Sequence, residues 1–316
     1  MSQEPAHAYI RHGQTPFFRL EKKIHDRAYA GVDAVMLGVP WDGGTTFEPG
    51  ARLAPWAVRQ ASAHLQTYHP WHHVDVFRSV TAADGGNVAV PPFHPALARQ
   101  AIEEEVSAIV EAGAVPFLVG GDHSIAYPAM RAVAKKHGPL AVVHVDAHLD
   151  TSGPEVWGDP YHHGTPLRHA ITENLVARGA LHQVGIRATW GHPEEGSVAA
   201  SHDARLWDMD AVEDLGILEI GMRIRESIGD RPTYITFDVD GIDPAYAPGT
   251  GTPVPGGLTA REAIRLIREL SGIHLVGMDV VEVCPAKDVG DITSTLAAHL
   301  LYEGVSLMAE ERTRTR

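Results

Sequence analysis

Three short motifs in this chain hold groups that can do chemistry together. The run Val145-Asp146-Ala147-His148-Leu149-Asp150 spaces its polar residues i, i+2, i+4. On an extended chain side chains two apart point the same way, so two carboxylates and an imidazole converge. Thr236-Phe237-Asp238-Val239-Asp240 repeats the alternation with two more carboxylates. Gly120-Gly121-Asp122-His123-Ser124 presents a second imidazole, His123, behind two glycines. A lone Asp after an apolar strand is commonly a cap or turn residue. Four gathered together repel strongly unless cations neutralise them. Two divalent ions balance Asp146, Asp150, Asp238 and Asp240. The oxygen-rich set suits a hard cation, and the histidines widen the choice to Mn²⁺, Ni²⁺, Co²⁺ or Zn²⁺. Carboxylates shared between two strand ends predict a two-metal site with ions roughly 3.5–4 Å apart.

The elements that must position these groups follow from the apolar pattern. Ala34–Pro40, Val115–Gly120, Leu140–Asp146, Leu181–Arg187, Thr233–Asp240 and His274–Val283 read as strands. Ala54–Gln66, Glu103–Ala112, Ala126–His137, Ala211–Ile228, Thr259–Leu270 and Ser294–Glu310 read as helices, with Pro55 in a first turn and Thr259 as a cap. Strands that are apolar throughout are buried on both faces, as in parallel sheets covered by helices. Each chemical motif falls at a strand's carboxyl end, where open α/β sheets bind ligands. The longest irregular stretch, Thr151–Pro166, follows one such end. Residues 1–30 lack periodicity and read as an N-terminal arm. Residues 31–316 read as one catalytic domain.

Composition excludes some function classes. The 316 residues carry a formal net charge of −14, with 44% hydrophobic and 21% charged content. An acidic balance argues against nucleic acid or anionic lipid as a partner. No apolar run is long enough for a membrane span. The start, MSQEPAHAYIRHGQ, lacks the apolar core of a secretory signal. The single cysteine, Cys284, forbids an intrachain disulfide and fits a cytoplasmic location.

Taken together, GGDHS (Gly120–Ser124), DAHLD (Asp146–Asp150) and FDVDGIDPAYAPGTGTP (Phe237–Pro253) resemble motifs of the ureohydrolase (arginase/agmatinase) family. GMDVVEVCP (Gly277–Pro285), YHHGTPLRH (Tyr161–His169) and VPWDGGTTFEPGARLAP (Val39–Pro55) also match, so the resemblance spans nearly the whole chain. It is nearest to the agmatinase, guanidino-acid hydrolase and proclavaminate amidinohydrolase branch. The resemblance implies a three-layer α/β/α fold around an eight-stranded parallel sheet, and a homo-oligomer, trimer or hexamer, with a hetero-oligomer as the alternative. It implies that His123, Asp146, Asp150 and Asp238 hold one ion. Asp146, His148, Asp238 and Asp240 would hold the other, with Asp146 and Asp238 bridging. Mn²⁺ is the expected metal and Ni²⁺ the alternative.

The implied reaction hydrolyses a guanidino C–N bond and releases urea plus an amine. A guanidinium is a poor electrophile, and a divalent ion can lower the pKa of water to around 7 to supply hydroxide. A carboxylate can hold the planar cation through paired, charge-assisted hydrogen bonds. Glu282 matches that position in the family. A histidine of near-neutral pKa can protonate the leaving amine. His163 matches that position, with His162 as the neighbouring alternative. Asp150 joins His163 and Glu282 in the implied catalytic group. Cys284 shows no activating pattern and reads as packing.

The resemblance implies a guanidino substrate, whose tail is less legible. The loop TSGPEVWGDPYHHGTP lacks the Ser-Asn-Ser pattern that would mark an L-arginine site. Arg168 could meet a substrate carboxylate. Glu48, if it faces the pocket, would disfavour carboxylates and favour a second cation. Trp157 and Tyr161 would suit a small, partly apolar substrate. The expectation is an agmatinase-like enzyme for a small cationic guanidine. The alternatives are a guanidino-acid hydrolase, an alkylguanidine or biguanide hydrolase, or a non-catalytic partner subunit. A one-zinc deacetylase on the same fold is disfavoured by the full set of four aspartates.

Overall fold

The computed structural model describes residues 15–23 and 27–314. Eleven strands are present among them: β1 (Glu21–Lys22), β2 (Ala34–Gly38), β3 (Tyr68–His69), β4 (Val74–Asp75), β5 (Ala82–Asn87), β6 (Val115–Val119), β7 (Leu140–Val145), β8 (Val176–Val184), β9 (Arg205–Trp207), β10 (Pro232–Asp238) and β11 (His274–Val281). Nine of them form one sheet in the order β1-β5-β2-β6-β11-β10-β7-β8-β9. Every pairing in it is parallel. β3 and β4 make a separate antiparallel hairpin.

Alternation within the strands sorts the core into two layers. Ala34 and Met36 of β2 and Ala141, Val143 and Val145 of β7 face the helices Ala54–Ser62, Ile217–Ile228, Ala260–Glu269 and Ile292–Arg314. Val35, Leu37, Leu140 and Val142 face Pro95–Glu111, Ala126–His137 and Pro166–Thr172. The result is the α/β/α sandwich expected from strands that are apolar on both faces. Among the described residues no helix is long and apolar enough to cross a membrane.

The sheet has nine strands where the resemblance implies eight. Its edge strand β1 comes from the segment read as an arm. Phe17 and Phe18 are fully buried, and Phe17 N–H donates to Asp84 Oδ2 at 2.9 Å. Arg59 grips the same carboxylate through Nε (3.0 Å) and Nη2 (3.1 Å). The rest of the expected arm, residues 1–14 and 24–26, lies outside the described residues. The helix read as Ala211–Ile228 is two helices, Met209–Leu215 and Ile217–Ile228, broken at Gly216, where φ is 78°. Thr259 caps Ala260–Glu269 in a reciprocal box with Glu262.

The closing helix is tied down by a buried charge cluster. Glu303, 2% exposed, accepts from Arg268 Nη2 (2.6 Å) and Nε (3.0 Å) and lies 3.1 Å from His69 Nε2. His72 Nδ1 lies 2.8 Å from Glu310 Oε2 on the same helix. Burial opposes ionisation of Glu303, but His69, His72 and Arg268 hold its carboxyl well below the usual range. A depressed folded value means stability that is present above the unfolded pKa and lost as pH falls through the folded one. Glu303→Gln breaks this buried network and is expected to cost about 3–5 kcal/mol at neutral pH. Urea unfolding checks this, and the gap between wild type and variant should narrow below about pH 4.

Candidate active site

Strand order places every predicted ligand in one row. β6, β11, β10 and β7 are consecutive neighbours, and their carboxyl ends lead to His123, Glu282, Asp238 and Asp146 respectively. Register keeps the ends level. Val119 pairs with Val280, Val281 with Asp238, and Phe237 with Val145. Two glycines let the turns beyond them close. Gly121, at φ +86°, would put a Cβ 2.8 Å from Val39 O, and a Cβ on Gly241 would lie 2.8 Å from Asp146 N. Only glycine fits such approaches. Asp150 and Glu282 themselves sit at positive φ, 54° and 62°. Strain of this kind costs roughly 1–3 kcal/mol and is typical of functional positions.

The side chains form two overlapping groups. His123 Nδ1 lies 2.8 Å from Asp150 Oδ2, 3.0 Å from Asp146 Oδ2 and 3.4 Å from Asp238 Oδ2. His148 Nδ1 lies 3.1 Å from Asp240 Oδ2 and 3.3 Å from Asp146 Oδ1. His123 Nδ1 and Asp150 Oδ2 are buried and, as hydrogen-bonding atoms, lack partners. Such convergent, unsatisfied atoms fit a metal ion. The charges are in conflict without one. Burial, then Asp240 and Asp146, push Asp238 well above the carboxylate range, while burial and then Asp146 raise Asp240. Burial also opposes ionisation of Asp146, but His144, His123 and His148 hold it well below that range.

A supporting shell, missed in the sequence reading, fixes these ligands. His123 Nε2 lies 2.8 Å from Thr236 Oγ1, and the Thr236 hydroxyl donates to Asp279 Oδ1 at 2.7 Å. Tyr234 O–H donates to the other oxygen of Asp279 at 2.8 Å. His144 Nδ1 faces the Gln183 amide at 3.1 Å, which leaves Nε2–H to donate to Asp146 Oδ2 at 2.8 Å. Partners of this kind orient metal ligands. Both sets alternate with apolar residues inside strands, which sequence patterning cannot tell from ordinary core.

Glu282 and His163 meet beside the cluster. Glu282 Oε1 lies 2.8 Å from His163 Nδ1 and accepts from His123 N–H at 2.9 Å. His163 Nε2 lies 2.7 Å from Thr46 Oγ1, and its backbone N–H donates to Gly44 O. Burial lowers the affinity of His163 for a proton, but Glu282 outweighs it and raises the imidazole to about 9. His162 behaves oppositely. Burial and its charged neighbour His163 lower it to about 4. Asp122, nearby, is raised to about 6 by burial and Glu282.

A cavity of about 450 Å³ is lined by His123, His148, Asp150, His163, Asp238 and Asp240, while Glu282, 1% exposed, does not itself line it. Its outer wall includes Trp157, as expected, and also Trp190, Phe47 and Glu195. Two expected pocket residues lie elsewhere. Glu48 is ion-paired with Lys287 and does not line the cavity. Tyr161 lines a separate hollow, stacked on His169 (4.5 Å between centroids) with Arg99 3.8 Å over its ring. Arg168 is engaged by Glu155 (2.8 Å) and Glu194 (3.4 Å). Cys284 is buried against Pro49, and burial pushes its thiol up, consistent with packing.

A family model described as the arginase family matches residues 32–306. Proclavaminate amidinohydrolase of Streptomyces clavuligerus is 42% identical over 308 residues, covering 96% of this chain and 97% of that one. The mitochondrial agmatinase of Gallus gallus is 40% identical over 283 residues, covering 90% and 83%. A solved structure of the Streptomyces clavuligerus amidinohydrolase superposes with a TM-score of 0.90 at 40% identity, covering 97% of this chain and 99% of that one. On these matches, and with its candidate ligands gathered at the carboxyl ends of the central strands, the chain belongs to the arginase family.

Proposed function

We propose that this protein is a two-metal hydrolase that adds water across a guanidino carbon, breaks a C–N bond and releases urea and an amine. The observation that carries this reading is Glu282 and His163 in contact, 2.8 Å apart, beside the His/Asp cluster. One ion would be held by His123, Asp146, Asp150 and Asp238, the other by Asp146, His148, Asp238 and Asp240. Mn²⁺ is the first choice and Ni²⁺ the second. A divalent pair supplies the chemistry of nucleophile activation, bringing the pKa of water to about 7.

The chain's own groups do the rest. Glu282 holds the planar guanidinium by charge-assisted hydrogen bonds. Asp150, at its strained φ, keeps the ligand loop turned toward the cavity. His163, raised to about 9, is protonated at neutral pH and hands its proton to the nitrogen of the leaving amine. Trp157 walls the cavity. Among the described lining residues none is Lys or Arg, so a substrate carboxylate meets neither there. This favours a small cationic guanidine, with guanidino acids as the second reading. Names of relatives include both an agmatinase and an amidinohydrolase.

Urea release across agmatine, butylguanidine, a biguanide and 4-guanidinobutyrate tests the assignment. Cationic guanidines should be turned over. Rapid hydrolysis of 4-guanidinobutyrate with none of the cations would sink the substrate reading. The proton donor has its own test. Because His163 must carry a proton, kcat should fall above about pH 9, a limb separate from the loss below about pH 7 where the nucleophile is protonated. His163→Asn should lower kcat by about 10²–10⁴. A variant with kcat near that of wild type would remove His163 from the reaction.

A further inference from the structure

We propose that Glu195 is the specificity-determining residue of this cavity and reads a second cationic group on the substrate. This rests on the guanidino-hydrolase reading above. Glu195 lines the same cavity as His123, Asp150 and His163 but takes no part in the metal cluster or the proton path. It is only 7% exposed. One carboxylate oxygen, Oε1, accepts from Gly191 N–H (2.9 Å) and His192 N–H (3.0 Å). Its backbone carbonyl accepts from Thr151 Oγ1 at 2.8 Å. The residue is thus pinned both to the loop after β8 and to the loop that follows Asp150.

The other oxygen, Oε2, has no donor and no ion pair among the described residues. Arg168, which reaches the adjacent Glu194, is spent on it and on Glu155. A carboxylate held in place, with one oxygen facing the cavity and lacking a cation, attracts one from a ligand. The walls around it suit such a ligand. Val156 and Trp157 on one side and Trp190 on the other offer apolar surface for methylenes and ring faces for a cation. The chemistry that fits is an ammonium or second amidinium joined to the guanidine by a short apolar link. Aminoalkylguanidines and biguanides have that form. Glu195 therefore fills the role that the sequence suggested for Glu48, which Lys287 neutralises outside the cavity. Two adjacent glutamates after a proline give no sequence signal for it.

Glu195→Gln separates recognition from loop support, because the amide oxygen can still accept from Gly191 and His192. The Mn²⁺-loaded full chain is assayed for urea with agmatine and with butylguanidine, which lacks the distal ammonium. The variant should reduce the ratio of kcat/KM for agmatine over butylguanidine by about 10- to 100-fold, chiefly through KM, the size expected for one charge-assisted contact. An unchanged ratio, or equal loss on both substrates, overturns the proposal. If wild type releases urea from neither, the hydrolase reading fails. The same four combinations are then read as Kd by calorimetry, where a selective loss for agmatine supports Glu195 and a uniform or absent loss overturns it.

Discussion

Mutual repulsion among Asp146, Asp150, Asp238 and Asp240 is the constraint around which this molecule is built. Two unit charges 4 Å apart repel by about 4 kcal/mol at an effective dielectric of 20. All four side chains are buried, so water does little to relieve them. The fold nevertheless drives them together, because β7 and β10 are paired neighbours whose carboxyl ends lead into these aspartates. His123 enters from β6, two strands away, and completes the row. The unpartnered Nδ1 of His123 and Oδ2 of Asp150 mark where cations belong. Behind them Thr236, Asp279, Tyr234, His144 and Gln183 hold the ligands still. Two left-handed residues, Asp150 and Glu282, show that backbone strain is accepted in the same place.

Much of this was legible in the residues. The strands β2, β6, β7, β10 and β11 are apolar runs, and they are the strands that frame the centre. The carboxylate spacing itself announced the cluster of aspartates and histidines. What escaped did so for physical reasons. β5 reads AADGGN, a turn by composition, yet Asp84 is buried because Arg59 and Phe17 N–H satisfy it. β1 and β9 are too short to carry a pattern. Gly216 interrupts a helical periodicity that runs on either side of it. Pocket walls were harder still. Glu48 and Tyr161 sit in the right loops, but which way a loop side chain points depends on partners distant in sequence, here Lys287 and the His169–Arg99 stack.

The polarity of the cavity then narrows the chemistry. Its floor is rich in carboxylates, and its described walls carry aromatic and acidic groups and histidines but no Lys or Arg. Glu282 and His163 form the proton-bearing side, with the imidazole kept charged by its neighbour. One face can therefore activate water, another can hold a planar cation, and a third can receive its distal end.

The proposed hydrolase reading rests on two cations sharing Asp146 and Asp238. Anomalous diffraction from Mn²⁺-soaked crystals, recorded on both sides of the manganese edge, examines this directly. The account predicts two peaks roughly 3.5–4 Å apart, one against His123 and Asp150 and the other against His148 and Asp240. A single peak, or none, in crystals whose protein releases urea at full rate would contradict it.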